Sequence, residues 1–168
     1  HPSIHMPLLA RASKPEDMAL LKKNNLEPFD LVIVNLYPFA EAKSKNLPED
    51  ELIEFIDIGG PSLLRAAAKN FERVAVLCDP ADYKWIGEKH ELNRGERQKL
   101  AAKVYAHTSQ YDALIARTMD PDNIENQFLA GARVQALRYG ENPQQAAAWF
   151  ATERTGLHSA RVLHGKPL

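Results

Sequence analysis

Two short apolar runs, set between stretches with helical spacing, dominate the hydrophobic pattern of the first half of the chain. Residues 30–35 (Asp-Leu-Val-Ile-Val-Asn) and 73–78 (Arg-Val-Ala-Val-Leu-Cys) are rich in β-branched residues and almost continuously apolar. This pattern is typical of parallel strands that are covered on both faces. We therefore predict two buried parallel strands.

Apolar residues at helical spacing mark the segments around these strands. Several of these segments begin with proline, glycine or acidic residues and end near lysine or asparagine, as helices commonly do. The predicted helices cover residues 14–25, 48–57, 59–70, 79–85 and 95–119. Helices that alternate with buried strands favour an α/β layered fold. The pattern breaks between residues 120 and 135, where we predict a domain boundary.

Composition excludes several classes of protein. The 168 residues carry 21 Lys and Arg against 22 Asp and Glu, so no global field attracts nucleic acid or an anionic membrane. No apolar run reaches the roughly 20 residues that span a bilayer. The single cysteine, Cys78, favours a reducing compartment, and we predict a cytoplasmic protein. The six histidines include no pair at metal-ligand spacing on a helix, so we predict no metal site.

Polar side chains follow the first predicted strand. Asn35 offers both a donor and an acceptor, and Tyr37 has a phenol that can hydrogen-bond or relay a proton. Ligands of open α/β sheets bind at the carboxyl ends of the strands. These two residues are candidates for ligand binding; the alternative is a loop whose tyrosine packs against a neighbour.

A second candidate site lies where the predicted helix 59–70 begins. Gly59 allows a ligand to approach the backbone closely, and the free amides of a helix start favour negative charge. Arg65 and Lys69 share one helix face, and with Asp57 they could form a charge relay in which Lys69 transfers a proton. The alternative is an ordinary surface helix with solvated basic residues.

The third candidate is a turn-rich segment near residue 140. Arg138 can bind a phosphate or carboxylate with two hydrogen bonds, and Tyr139 can stack on a planar base. Taken alone, this turn has low specificity.

Four segments, NLYPF, IDIGGPSLLRAAAKN, CDPADY and LRYGENPQQ, occur in this order along the chain. Together they resemble the bifunctional purine-biosynthesis family that joins an IMP cyclohydrolase to an AICAR formyltransferase. The resemblance implies an α/β fold: an incomplete three-layer, methylglyoxal-synthase-like domain with a parallel sheet over residues 1–125. The start of a cytidine-deaminase-like formyltransferase domain would follow over residues 126–168.

The resemblance also implies an activity and its residues. The activity is the cyclisation of formyl-AICAR to IMP with loss of water. Three residues match positions that the family uses for catalysis: Lys69, Asp57 and Tyr37. Others match positions that contact the nucleotide substrates: Val34, Asn35, Asp57, Ile58, Gly59, Arg138 and Tyr139.

Further implications concern partners and departures from the family. The linked formyltransferase uses 10-formyltetrahydrofolate, and the whole protein is expected to be a homodimer that binds small purine nucleotides. Met6 and Pro7 stand where the family usually has two small residues, and Gln144 replaces a histidine. We expect the chain to be a piece of a longer protein.

Two alternatives to this activity remain at the level of sequence. One is an incomplete fragment of the same family that only binds a nucleotide or serves as a dimer scaffold. The other is a methylglyoxal-synthase-like enzyme, which a shared fold alone does not establish.

Overall fold

A computed structural model describes residues 1–88, 91–122, 131–151, 156, 159–161 and 163–165. The chain forms two compact units, His1–Ile115 and Ala116–Leu168. The predicted domain boundary at residue 125 lies outside the described residues. Among those residues, no helix combines the length and the apolar character needed to cross a membrane.

The described elements alternate as an α/β chain does, which confirms the predicted class. The helices are α1 (Pro2–Leu9), α2 (Pro15–Lys23), α3 (Phe39–Ser44), α4 (Glu49–Ile53), α5 (Gly59–Lys69), α6 (Lys84–Glu88) and α7 (Arg94–Met119). A 3₁₀ turn, Pro80–Asp82, precedes α6. The strands are β1 (Leu31–Ile33), β2 (Ala75–Leu77), β3 (Ala132–Leu137) and β4 (Ala147–Ala151).

Strands β1 and β2 form a small parallel sheet in the first unit, with Val32 paired to Val76. The ladder continues beyond β1, because the Val34 N–H donates to the Leu77 carbonyl at 3.1 Å. Helix α5 packs on this sheet because residues one turn apart bury a common stripe. The core cluster contains Leu8, Leu64, Ala67, Ala68, Val74, Val76, Cys78, Ala101 and Val104.

The prediction that both strands are covered on both faces is wrong for β1. Leu31 and Ile33 are 41% and 45% exposed, whereas Val32 packs against the core. Side chains alternate between the two faces of a strand, and the described residues of this unit bury only the face that carries Val32. In β2, by contrast, Val76 and Leu77 are fully buried as predicted.

Several helices differ from their predicted bounds. The helix predicted over 48–57 ends at Ile53, because the backbone around Phe55 and Asp57 bonds to Tyr111 instead of continuing the helix. The helix predicted over 79–85 is a 3₁₀ turn followed by α6. Helices α2, α5 and α7 match their predictions within two residues.

Two short helices were not predicted. Helix α1 contains Pro7 in its interior, where a proline lacks the N–H that an α-helix needs, so the sequence argues against it. Met6 and Pro7 therefore lie in a helix, and Asn70 ties its end to the core by donating to the carbonyls of Leu8 and Ala10. Helix α3 has only six residues, too few for a clear periodic pattern.

The described part of the second unit contains a β-hairpin. Strands β3 and β4 are antiparallel, and the register shifts between Arg133 and Gln135. Their connection is held by a hydrogen bond from the Gly140 N–H to the Gln145 carbonyl at 2.8 Å. Neither strand was predicted.

Candidate functional site

Asn35 and Asp79 lie at neighbouring carboxyl ends of the small sheet. Ile33 pairs with Leu77, so the same register places Asn35 beside Asp79, as expected for parallel strands. The side chains of Asn35 and Tyr37 are exposed. The structure therefore places both sequence-predicted residues at an accessible edge of the sheet.

Tyr83 contacts Asn35 directly. The Asn35 amide nitrogen lies 2.9 Å from the Tyr83 hydroxyl, and the Asn35 amide oxygen lies 3.2 Å from it. The hydroxyl can accept from the nitrogen or donate to the oxygen. Either bond restricts the Asn35 side chain while the rest of its amide remains accessible.

Asp57 joins the two predicted site segments. Its Oδ1 accepts from the Gly60 N–H at 2.7 Å, and its Oδ2 accepts from the Tyr37 N–H at 3.3 Å. The first bond satisfies an otherwise free donor at the start of α5, as a helix cap does. One carboxylate thus fixes both the start of α5 and the loop after β1.

The two glycines at the start of α5 differ sharply in their surroundings. A Cβ on Gly60 would lie 2.5 Å from Asp57 Oδ2 and 2.8 Å from Leu36 Cδ2. A Cβ on Gly59 would meet no atom within 4 Å. Ile58 is 79% exposed. The helix start is therefore closely packed beneath Gly60 and open to solvent at Ile58 and Gly59.

Tyr111 binds the backbone of the segment before α5 through its side-chain hydroxyl. Its hydroxyl donates to the Phe55 carbonyl and accepts from the Asp57 N–H, each at 2.9 Å. The ring packs edge-on against Phe39, with 6.3 Å between the centroids. Burial raises the pKa of the Tyr111 phenol above its usual value, so the hydroxyl keeps its proton and both hydrogen bonds at neutral pH.

Lys69 lies at the opposite end of α5 from Asp57. Lys69 lies ten positions after Gly59, and the helical rise puts their Cα atoms roughly 15 Å apart. The Arg65 guanidinium lies over the Tyr105 ring, 5.4 Å from its centroid. The structure therefore brings Tyr37 and Asp57 together but does not form the direct relay from Asp57 through Arg65 to Lys69.

Lys103 binds two aspartates at the carboxyl end of β2. Its Nζ lies 2.6 Å from an Oδ2 atom of both Asp79 and Asp82. The Lys103 hydrogen bond is the main cause that lowers the pKa of Asp79. Burial opposes the charge on Lys103, but the two carboxylates outweigh it and raise the pKa of the ammonium. Asp79 and Lys103 therefore both keep their charges at neutral pH.

Two further titratable groups adjoin this cluster. Burial lowers the pKa of His107 below its ordinary value, and the Asp79 carboxylate only partly opposes the effect. Burial likewise raises the pKa of the Cys78 thiol, so the thiolate that reacts as a nucleophile is disfavoured. Cys78 is a buried core residue, as predicted.

Arg138 and Tyr139 are adjacent and exposed at the end of β3. The Arg138 guanidinium lies 5.7 Å from the centroid of the Tyr139 ring. Gln145 shapes the turn that follows by accepting from the Asn142 N–H through its side chain at 2.9 Å. Gln144, which stands where the resembled family has a histidine, lies in this same turn.

Comparison with known proteins decides the family. Residues 67–168 match the family model described as AICARFT/IMPCHase bienzyme. This chain belongs to the AICARFT/IMPCHase bienzyme family. The resemblance drawn from the four sequence segments is thereby confirmed.

Curated relatives in this bienzyme family match the whole chain. The bifunctional purine biosynthesis protein PurH of Chloroflexus aurantiacus is 49% identical over 100% of this chain and 33% of its own length. The PurH proteins of Leuconostoc mesenteroides and Trichormus variabilis are 47% and 45% identical, again over 100% of this chain, and are covered over 35% and 34% of their lengths. The chain thus spans about a third of the relatives it matches.

A solved structure supports the fold. The crystal structure of ForH matches with a TM-score of 0.59 and 32% sequence identity, over 70% of this chain and 63% of that one.

Three residues that support the candidate site were not predicted from the sequence: Tyr83, Lys103 and Tyr111. Tyr83 is the last residue of the CDPADY segment, but nothing local to that segment indicates a contact with Asn35. Lys103 and Tyr111 lie eight residues apart on α7, with His107 halfway between them. Polar residues at this spacing on an otherwise packed helix face were the available signal.

Across the described part of the chain, no group of three or more His, Cys, Asp or Glu side chains is placed to hold a metal ion.

Proposed function

We propose that this chain carries part of an IMP cyclohydrolase site, which closes the ring of formyl-AICAR to give IMP and water. The observation that carries the proposal is the junction at Asp57. There one carboxylate binds the backbone of Tyr37 and of Gly60, so two family segments that are distant in sequence form one exposed surface.

The chemistry requires positioning and proton transfer. The carboxamide nitrogen attacks the formyl carbonyl carbon of the same molecule, and a C–N bond forms. One proton from this nitrogen and one from the formylated nitrogen pass to the carbonyl oxygen, which leaves as water. Because the substrate already tethers both groups, the protein mainly has to orient them. A well-placed acid or base adds about 10²- to 10⁴-fold.

Each proposed role follows from the position of a residue. The exposed Asn35 amide and the open backbone at Ile58 and Gly59 bind the base, and Val34 fixes the strand end from which Asn35 projects. Asp57 organises this surface, and its remaining lone pairs can accept a hydrogen bond from the substrate. Tyr37 supplies a hydroxyl at the same surface.

Lys69 is proposed as the proton carrier on the strength of the family resemblance. Its position at the far end of α5 requires that the reacting atoms lie toward that end, away from the contacts at Asn35. The same separation favours a second candidate function, a nucleotide-binding or dimer-scaffold module without cyclisation. The two candidates make opposite predictions for a lysine variant.

The proposal also covers the two domains, the formyl donor, the oligomeric state and the location of the protein. Residues 1–125 are proposed as part of a three-layer, methylglyoxal-synthase-like domain, and residues 126–168 as the start of a cytidine-deaminase-like formyltransferase domain. In that second domain Arg138 and Tyr139 would bind AICAR. The formyl donor of the linked reaction would be 10-formyltetrahydrofolate, to which we assign no residue of this chain. The whole protein is proposed to be a cytoplasmic homodimer.

The test compares Lys69→Ala with Lys43→Ala, a matched exposed lysine in the last turn of α3. Conversion of formyl-AICAR to IMP is followed by ultraviolet absorbance, alongside a thermal melt of each variant. We expect Lys69→Ala to lose at least about 10²-fold in kcat with its melting temperature unchanged, and Lys43→Ala to match the parent protein. Turnover equal to the parent in Lys69→Ala would exclude this lysine as the proton carrier. IMP binding without turnover in the parent would establish the binding module.

A further inference from the structure

The amide of Asn35 has only one partner among the contacts described for its side chain, and that partner is Tyr83. An exposed asparagine side chain is free to rotate unless a neighbour holds it, and each immobilised side chain that a ligand does not have to order improves binding. The Tyr83 hydroxyl is a fixed neighbour because it comes from a separate, constrained segment, 48 residues away in sequence.

That constraint comes from the turn directly before Tyr83. Asp79 caps the turn by accepting from the Ala81 N–H at 2.9 Å, and the Tyr83 N–H donates to the Pro80 carbonyl at 3.1 Å. The position of Tyr83 therefore depends on the geometry of residues 79–82.

Lys103 fixes both ends of the same turn from α7. Its ammonium bridges Asp79, which precedes the turn, and Asp82, which ends it, at 2.6 Å each. An isolated surface ion pair contributes little to stability. One ammonium that binds two carboxylates also fixes the distance between them, and here it fixes the two ends of the turn. The contacts form a continuous chain from α7 through the turn to the candidate binding surface.

We propose that Tyr83 is a positioning residue that pre-orients the Asn35 amide for the purine base, and that Lys103 holds Tyr83 in place through Asp79 and Asp82. The inference rests on the proposed function, since it assumes that Asn35 binds the substrate. It assigns Tyr83 no contact with the reacting atoms.

The kinetic test uses Tyr83→Phe, which keeps the ring and removes the hydroxyl. We expect KM for formyl-AICAR to rise about three- to tenfold, the range for one net hydrogen bond, while kcat stays within about twofold. Tyr105→Phe is the matched control, because the contact described for that ring is with the Arg65 guanidinium and not with Asn35, and we expect it to leave KM unchanged.

A double-mutant cycle separates positioning from direct contact. If Tyr83 acts through Asn35, adding Tyr83→Phe to Asn35→Ala changes KM no further than Asn35→Ala alone. Additive effects would overturn the proposal, because they would mean that Tyr83 touches the substrate itself.

Variants of Lys103 test the rest of the chain of contacts. Lys103→Met should raise KM as Tyr83→Phe does, and Lys103→Arg should restore it, because a guanidinium can also bridge two carboxylates. Lys99→Met, one turn earlier on α7, is the control for losing an exposed lysine. Equal KM in the parent protein, Lys103→Met and Lys103→Arg would contradict the role of Lys103.

A spectroscopic measurement keeps the inference testable apart from activity. In ¹⁵N NMR of the protein without substrate, Tyr83→Phe and Lys103→Met should shift the Asn35 side-chain amide signals toward those of a freely rotating asparagine. Unchanged Asn35 signals would refute the positioning role. If instead those signals move as expected but neither KM nor IMP affinity responds to Asn35→Ala, the positioning is real and the proposed function is wrong.

Discussion

Alanine at Gly60 perturbs the junction at Asp57 most directly. The new methyl group would lie 2.5 Å from Asp57 Oδ2, 2.8 Å from Asp57 Cγ and 2.8 Å from Leu36 Cδ2. Real Cβ atoms do not approach other atoms so closely, so the carboxylate must move. That movement breaks its bonds to the N–H groups of Gly60 and Tyr37.

The magnitude follows from opposing contributions. Overpacking costs about 1–3 kcal/mol, and the lost cap costs about 1 kcal/mol. The better helix propensity of alanine offsets about 1 kcal/mol. We therefore expect Gly60→Ala to lower the free energy of unfolding by about 1–3 kcal/mol, which lowers the melting temperature by roughly 3–10 °C.

Gly59→Ala is the matched control, since a Cβ at that position meets no atom within 4 Å. We expect its free energy of unfolding to equal or slightly exceed that of the parent protein. Its affinity for IMP should nevertheless fall, because the methyl group projects into the open space where the proposed ligand binds. Thermal melts and calorimetric titration with IMP measure the two effects. Equal stability of the two variants would refute the packing argument, and unchanged affinity in Gly59→Ala would refute the assignment of the open surface.

Three further predictions concern residues that support the first unit. Asn70→Ala should lower the free energy of unfolding by about 1–3 kcal/mol in urea titrations, because it removes the amide donor from the Leu8 carbonyl, while the Ala10 carbonyl keeps its hydrogen bond from the Arg73 Nε–H; a loss below about 0.5 kcal/mol would contradict this. Tyr111→Phe should lower the free energy of unfolding by about 1–2 kcal/mol, because it removes two hydrogen bonds to the backbone of the segment before α5. A variant as stable as the parent would show that these two hydrogen bonds do not stabilise the fold. His107 has a pKa lowered by burial, so the folded state binds its proton less readily than the unfolded state. Stability should therefore fall as the pH drops through the ordinary histidine range near 6.5. His107→Gln should reduce the loss in melting temperature between about pH 7.5 and pH 5.5, whereas an identical pH dependence in both proteins would show that His107 does not contribute.

Local pattern was sufficient where an element's own residues determine its form. The stripe of Leu64, Ala67 and Ala68 predicts α5 from spacing alone, and α7 follows the same rule. The pattern failed for β1 because an apolar run shows only that both faces of the strand can be buried, not that both are. Which face is buried depends on the elements that pack there, and in the described residues Leu31 and Ile33 remain exposed.

The candidate site divides in the same way. Asn35 and Asp57 could be identified from the sequence. Asn35 follows a strand and Asp57 precedes the start of a helix, and α/β folds bind ligands at both kinds of position. Tyr83 and Tyr111 were not, because their bonds join residues 48 and 54 positions apart, and no local pattern encodes such pairs. The relay to Lys69 was predicted from a shared helix face, but the length of α5 separates its ends.

Asn35, Tyr37 and the start of α5 together form the proposed nucleotide-binding surface. The most direct measurement is a titration of the ¹⁵N-labelled protein with IMP, followed by two-dimensional NMR of the backbone amides. We expect the largest chemical-shift changes to fall on residues 34–37 and 57–60, and Asn35→Ala to weaken binding. Saturating shifts confined to residues outside these two segments, with Asn35→Ala binding as tightly as the parent, would contradict it.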